Sequence, residues 1–394
     1  KKILLITILL FIFPFSALWA AEAAELNPGL TPREIAAEQE NALDLEQLES
    51  FLRQIDEDVQ GYLPELSLKE MLASLKEGKL NIAPGEILTG LKRFFFHEVT
   101  LNLSLLGKIL VIAIICSFLQ NMQAAFEKGT VAKLAYFACF LAVISLVTGS
   151  FHAAVTAGLE AIKKMVGFMQ LLLPVLLVLL IAMGSLTSAA LFQPFLIACL
   201  SFLGFFAEMV IFPLIYLTAV LSIVNHISER FKAAKLTGLV KQITKASIGL
   251  ALTIFIGVIT VEGVAGGVVD GVSLRTAKFV TGAFVPVAGS MFADALDALI
   301  GGSLLLKNAL GISGVLILSV IILFPVIKML VIALIYRIAA AMIQLLGDSM
   351  LADTLDEMAG SLLLSFAAVL SVGIMFFLAI TVIVGTANFT MMLR

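Results

Sequence analysis

The sequence predicts an all-α, polytopic transmembrane bundle, and three observations carry that prediction. Hydrophobic residues make up 61% of the 394 positions, charged residues make up only 13%, and apolar stretches of span length recur. A soluble domain needs far more charge to cover its surface, so the excess apolar area must face lipid. The mean hydropathy of +1.10 says the same. Crossing a hydrocarbon core of about 30 Å takes about 20 helical residues. Every backbone N–H and C=O in lipid needs a partner within the protein, which leaves helices or closed barrels. The runs show no period-2 alternation, and helices follow.

The chain opens with Lys1 and Lys2, an apolar run from Ile3 to Leu18, and Ala21-Glu22-Ala23. A charged start, a short apolar core and a small-residue site read as a signal peptide over 1–23. Residues 24–98 are then expected outside the cytoplasm as a small, acidic, helical region. Residues 21–100 hold 16 acids against 7 bases, whereas the chain after residue 100 holds 12 against 16. An acidic leader before a mildly basic membrane portion argues against nucleic-acid binding. Leu45, Leu48, Leu52, Ile55 and Val59 repeat at helical spacing and form one apolar stripe. Ser67-Leu68-Lys69-Glu70 has the form of a capping box, and Pro84-Gly85-Glu86 suits a helix start.

The polytopic domain occupies 99–394. Spans are expected near 101–120, 134–151, 248–269, 310–336 and 361–385. A further apolar stretch covers 165–183, and a run over 191–224 is interrupted by Pro194, Gly204, Glu208 and Pro213. The segment 225–247 carries Arg230, Lys232, Lys235, Lys241 and Lys245 against Glu229 and is expected in the cytoplasm. Its second half sets Leu236, Leu239, Val240 and Ile243 against the lysines, as in a helix lying on the membrane surface. Parity between the two sides allows two arrangements: a crossing at 165–183 with a hairpin at 191–224, or a re-entrant 165–190 with one crossing after it.

An offset of 112 residues aligns Pro174-Val175 with Pro286-Val287, Phe212-Pro213 with Phe324-Pro325, and Lys163 with Arg275. Two proline dipeptides in equal register predict an internal tandem repeat, about 165–270 and 277–382. The second copy of the 165–190 stretch carries Lys278, Asp294 and Asp297 with several glycines. A lipid-facing span tolerates this poorly, so a re-entrant or broken helix is favoured.

Glu208, Glu262 and Lys328 are the ionisable residues deepest in apolar runs and are candidates for a transport pathway or for structural pairing. Asp270, Arg275, Lys278, Pro286 and Asp294 border or belong to the second broken element and are candidates for the same pathway. Gly263, Gly267 and Gly271 stand at four-residue spacing, which lets helix backbones approach closely. Cys116, Cys139 and Cys199 lie within apolar stretches as small hydrophobes, and with His97, His152 and His226 they lack the spacing of a metal site. Gly311-Ile312-Ser313-Gly314 has the form found around intramembrane serine nucleophiles, but no histidine base follows it. No catalytic, cofactor-binding or metal-binding residue is expected, so the chain reads as a non-enzyme.

The stretch GVSLRTAKFVTGAFVPVAGSMFADALDALIGGSLLLKNALGISG, residues 271–314, resembles the stage III sporulation protein AE family of endospore-forming bacteria. The signal-like start, acidic outer segment and length are similar to that family as well. The resemblance implies a multi-pass protein of the mother-cell-derived membrane around the forespore. It implies a transenvelope, secretion-like complex with other stage III sporulation A-operon proteins and the forespore protein Q. The expectation is a channel or export-gate subunit that forms a homo-oligomer; the rivals are a pure scaffold and a proton-coupled transporter using Glu208 or Glu262.

Overall fold

The computed structural model describes residues 32–43, 45–59, 61–62, 67–76, 84–125, 130–227, 233–284 and 289–392. The expected signal peptide, 1–23, lies outside these residues. Three short helices come first, α1 (Pro32–Ala42), α2 (Glu46–Val59) and α3 (Leu68–Lys76). The long helices α4 (Pro84–Ala125) and α5 (Thr130–Ala182) follow, then α6 (Leu186–Phe206) and α7 (Phe212–Ile227), joined through a π turn at Ala207–Ile211. The remaining helices are α8 (Ala234–Phe284), α9 (Gly289–Leu345) and α10 (Ser349–Met392). Six stretches among the described residues are long and apolar enough to cross a membrane: Ile87–Leu119, Leu134–Ala182, Leu186–His226, Ala234–Asp270, Ala298–Leu345 and Ser349–Thr386. The all-α polytopic bundle expected from composition is what the chain forms.

Length is the first surprise. α5 has 53 residues and α9 has 57. At 1.5 Å per residue each is on the order of 80 Å long, more than twice a hydrocarbon core of about 30 Å. The stretches 134–151 and 165–183, read from sequence as separate elements, are therefore two halves of one helix. Glu160, Lys163 and Lys164 lie in its middle, where hydropathy alone suggests a loop. The amphipathic 236–245 segment is likewise the start of α8 rather than a separate surface helix. There Val240 and Thr244 pack inward while Leu236, Leu239 and Ile243 point outward.

The helices run side by side and stack as two storeys. Cross-helix contacts set the levels. At the lower end Ser117 Oγ donates to Leu346 O (2.7 Å), Tyr136 Oη donates to Asp348 (3.1 Å), and Lys241 pairs with Glu357 (3.7 Å). At the upper end Gln39 Nε2 donates to Ser303 Oγ (2.7 Å), and Asp270 meets the start of α6. The lower storey holds α4, α7 and the matching halves of α5, α8, α9 and α10. The upper storey holds α6 and the other halves. In the lower storey α4 lies against α5 and α9; in the upper one α1–α3 lie against the same two helices. Ile35, Leu48, Leu52, Ile55, Leu68 and Leu72 are buried there, and Phe51 stacks on Phe168 at 6.1 Å. The apolar stripe of α2 thus belongs to the bundle's own core. Ser67 caps α3 as its spacing predicts, accepting from Glu70 N at 3.4 Å.

Two tight turns reverse the chain between long helices. Gly184 (φ +81°) follows α5 and Gly347 (φ +91°) follows α9. After α5, Ser185 N donates to Leu180 O (3.0 Å) and Gly184 N to Ile181 O (2.8 Å), which satisfies carbonyls the helix end would leave bare. Pro213 is accommodated differently. A proline ring clashes with the carbonyl four residues back, and the preceding turn widens to a π turn in which Phe212 N donates to Ala207 O. Pro174 and Pro325 sit inside continuous helices. Pro286, the 112-residue counterpart of Pro174, falls between α8 and α9, outside the described residues.

Candidate functional site

A belt of charge separates the two storeys. α5 contributes Glu160, Lys163 and Lys164, α4 contributes His97 and Glu98, α9 contributes Lys328, and the π turn contributes Glu208. Lys163 Nζ and Glu208 Oε1 pair at 2.8 Å with both side chains about half exposed. The others line a cleft of about 390 Å³ between α4, α5 and α9, roofed by Ile55 and Tyr62 from the N-terminal region. Aromatic packing builds one wall: Phe94 lies 4.5 Å from Phe324, and Tyr62 lies 5.3 Å from Phe94 and 5.7 Å from His97, centre to centre. Glu98 is 7% exposed, and its Oε2 accepts from Asn102 Nδ2 at 3.3 Å. Among the described residues Lys328 and Glu160 make no hydrogen bond or ion pair.

The candidates from sequence scatter over this frame. Lys328 lines the cleft, and Glu208 pairs with Lys163 outside its lining. Glu262 is half-buried on the upper part of α8, away from both. Asp270 is 1% exposed and accepts from Thr187 N (2.8 Å) and Ser188 N (2.9 Å), so it caps α6 from a different helix. An anion there meets the unpaired amides and the positive end of the helix dipole. Arg275, Lys278, Pro286, Asp294, Gly267 and Gly271 are outside the described side chains. A Cβ at Gly263 would stand 2.6 Å from Val382, and one at Gly266 would stand 2.6 Å from Ser188 Oγ, so α8 meets α10 and α6 at these positions.

Residue-by-residue reading passed over Glu98, Glu160, Lys164 and Lys307. The first three looked like ordinary interfacial charges, and only the fold brings them to one cleft. Lys307 hid in the polar run Gly301–Asn308. It is fully buried in the upper storey, and its Nζ donates to Val384 O at 2.8 Å. Ser313 of the GxSG motif is buried, and its Oγ has no hydrogen-bond partner among the described residues. Its glycines serve packing. Gly311 closes on Val384, and a Cβ at Gly314 would lie 2.6 Å from Leu172. His152 Nδ1 bonds Tyr216 Oη across from α5 to α7 (2.9 Å), and His226 Nδ1 bonds Ser222 O within its own helix (2.8 Å). Cys116 is buried, while Cys139 and Cys199 are half-buried.

Chemically, the belt offers paired and unpaired charges of both signs at a break between two apolar bands. Such a site can bind or orient a charged group. Comparison with known proteins agrees with the resemblance seen in 271–314. The family model for Stage III sporulation protein AE matches residues 66–387. Stage III sporulation protein AE of Bacillus subtilis (strain 168) is 41% identical over 364 residues, covering 92% of this chain and 91% of that protein. No solved structure matches. The chain is a multi-pass membrane protein of sporulation, and it belongs to the stage III sporulation protein AE family.

Proposed function

We propose that this chain is a non-enzymatic export-gate subunit of a sporulation-specific, secretion-like complex that joins mother cell and forespore. In this reading the lower storey sits in the mother-cell-derived membrane and the upper storey projects beyond it. The supporting observation is the mismatch between helices on the order of 80 Å and a hydrocarbon core of about 30 Å, with a charged belt at the halfway level. Charge favours the lower storey for the bilayer. The sequence between α4 and α5 and between α7 and α8 carries Lys128, Arg230 and Lys232 against Glu127 and Glu229, and Lys133 follows in the first turn of α5, a basic excess of the kind cytoplasmic loops carry. The core is filled along its length by side chains such as Phe140, Phe151, Phe168, Leu180 and Phe376. A pathway is therefore framed between copies or with neighbouring sporulation proteins rather than through one chain. Ile197, Phe202 and Phe205 expose an apolar face on the upper storey where such contacts can form.

Single cysteines at Glu38, Leu186, Lys235 and Leu345, in a background without the three native cysteines, test the placement. In vegetative cells producing the chain, positions 38 and 186 are expected to react with an impermeant maleimide before lysis. Positions 235 and 345 are expected to react only after it. Reaction at 235 in intact cells would overturn the orientation. Phe202→Cys is expected to give chain-to-chain disulfides on oxidation, and Val220→Cys, on the lipid face, to give none. If neither crosslinks, a path between copies fails and a scaffold subunit remains.

A further inference from the structure

We propose that the belt cleft binds the head group of a zwitterionic phospholipid bearing a primary ammonium, of the phosphatidylethanolamine class. The proposal rests on the placement of the lower storey in the bilayer, which puts the cleft at head-group level on the outer side. Its volume of about 390 Å³ falls within the range of small-molecule pockets, roughly 300–1,000 Å³. Both signs of charge are present, Glu98 and Glu160 beside Lys164 and Lys328. Glu98 is buried yet accepts only one hydrogen bond among the described residues, from Asn102, while a carboxylate has room for about four. Glu160 and Lys328 line the same cleft with no partner among the described residues. Burying a carboxylate with most of its acceptor capacity unused is costly, and a cationic ligand removes that cost. A ligand with an ammonium for Glu98 and Glu160 and a phosphate for Lys328 matches the set.

The surroundings favour an amphiphile. Leu101 lines the cleft and heads an exposed stripe down α4 through Val111, Ile114 and Phe118, an apolar wall along which acyl chains can lie. Lys108 interrupts that stripe about 10 Å below Leu101, within reach of the phosphate by snorkelling. The aromatic wall favours a primary ammonium over a trimethylated one. Tyr62, Phe94 and Phe324 pack on one another instead of splaying into a cage for a quaternary cation. Three N–H donors on the ammonium can each bond a carboxylate oxygen, which three methyl groups cannot.

The test is native mass spectrometry of the delipidated full chain, titrated with phosphatidylethanolamine, phosphatidylcholine or phosphatidylglycerol of identical acyl chains. Wild type is expected to retain phosphatidylethanolamine about tenfold more than phosphatidylcholine, since a charge-assisted hydrogen bond is worth about that factor. Glu98→Gln is expected to remove the preference for ethanolamine without lowering phosphatidylglycerol retention. Lys328→Gln is expected to weaken both. Equal retention of the three lipids by wild type would overturn the proposal without recourse to any variant. So would displacement by soluble glycerophosphoethanolamine at matched concentration, which would make a free metabolite the occupant. Because binding is read on purified protein, a failure here is distinct from a failure of the topology map.

Discussion

The two storeys share four helices but are held together differently. In the upper storey, glycines mark the closest approaches. A Cβ at Gly263, Gly266 or Gly314 would come to 2.6 Å of a neighbour, and Gly311 and Gly373 are closed by Val384 and Ile322. In the lower storey, Gly107, Gly149, Gly238, Gly249 and Gly360 meet nothing within 4 Å, and a Cβ at Gly158, just below the belt, would meet Met329, Ser365 and Val369 at 3.2 Å. Lower-storey helices lean instead on polar contacts at the end away from the belt, where Tyr136, Asp348 and Ser117 tie α4, α5 and the α9–α10 turn together. Small residues let helix backbones dock by van der Waals contact over a long stretch, whereas side-chain hydrogen bonds fix helices at points, as Tyr336 Oη does on Val147 O at 2.7 Å higher in the same storey. The upper storey is thus docked through close backbone approach and the lower storey through side-chain hydrogen bonds.

Substitutions that strike one storey and spare the other sharpen this contrast. The loss that reaches the whole bundle is expected from Gly314→Leu, which drives a side chain into Leu172. Overpacking costs about 1–3 kcal/mol or more, and the purified variant should unfold well below wild type on heating. Gly249→Ala in the lower storey should match or slightly exceed wild type in the same assay, because alanine is the better helix former. Next comes Leu52→Ala, which opens a cavity between the N-terminal helices and α5. A loss of about 2–5 kcal/mol should appear as protease sensitivity in α1–α3 before the bundle itself is cut. Asp270→Ala removes a charged acceptor from two amides at the head of α6. About 2 kcal/mol is expected, with faster hydrogen exchange at Thr187 and Ser188 and no change near Asp348. The smallest effect belongs to Glu208→Gln. Its ion pair with Lys163 is about half exposed, so thermal stability should change by less than about 1 kcal/mol.

The two glycine turns repeat the comparison on a smaller scale. Both use a left-handed glycine and a buried aspartate, yet the aspartates reach their helices by different routes. Asp348 is adjacent in sequence to the helix it caps, accepting from Leu351 N at 3.1 Å, and such a cap is readable from spacing. Asp270 caps α6 from more than eighty residues away. From sequence it looks like one more charge beside a broken element.

Much of the fold was legible without coordinates. Composition and run length established an all-α membrane bundle, because backbone groups in lipid admit few alternatives. The stripe Leu45, Leu48, Leu52, Ile55 and the cap Ser67 were readable because helical periodicity and capping are local chemistry. The segment 271–314 identified the family by likeness. Tertiary structure alone decided that 134–151 and 165–183 form one helix, and that Glu98, Glu160 and Lys328 share a cleft. Hydropathy is a local average and reads a charged patch as a boundary. A helix continues through such a patch when neighbouring helices extend beside it and carry charges at the same level, and that is a property of packing, not of spacing along the chain.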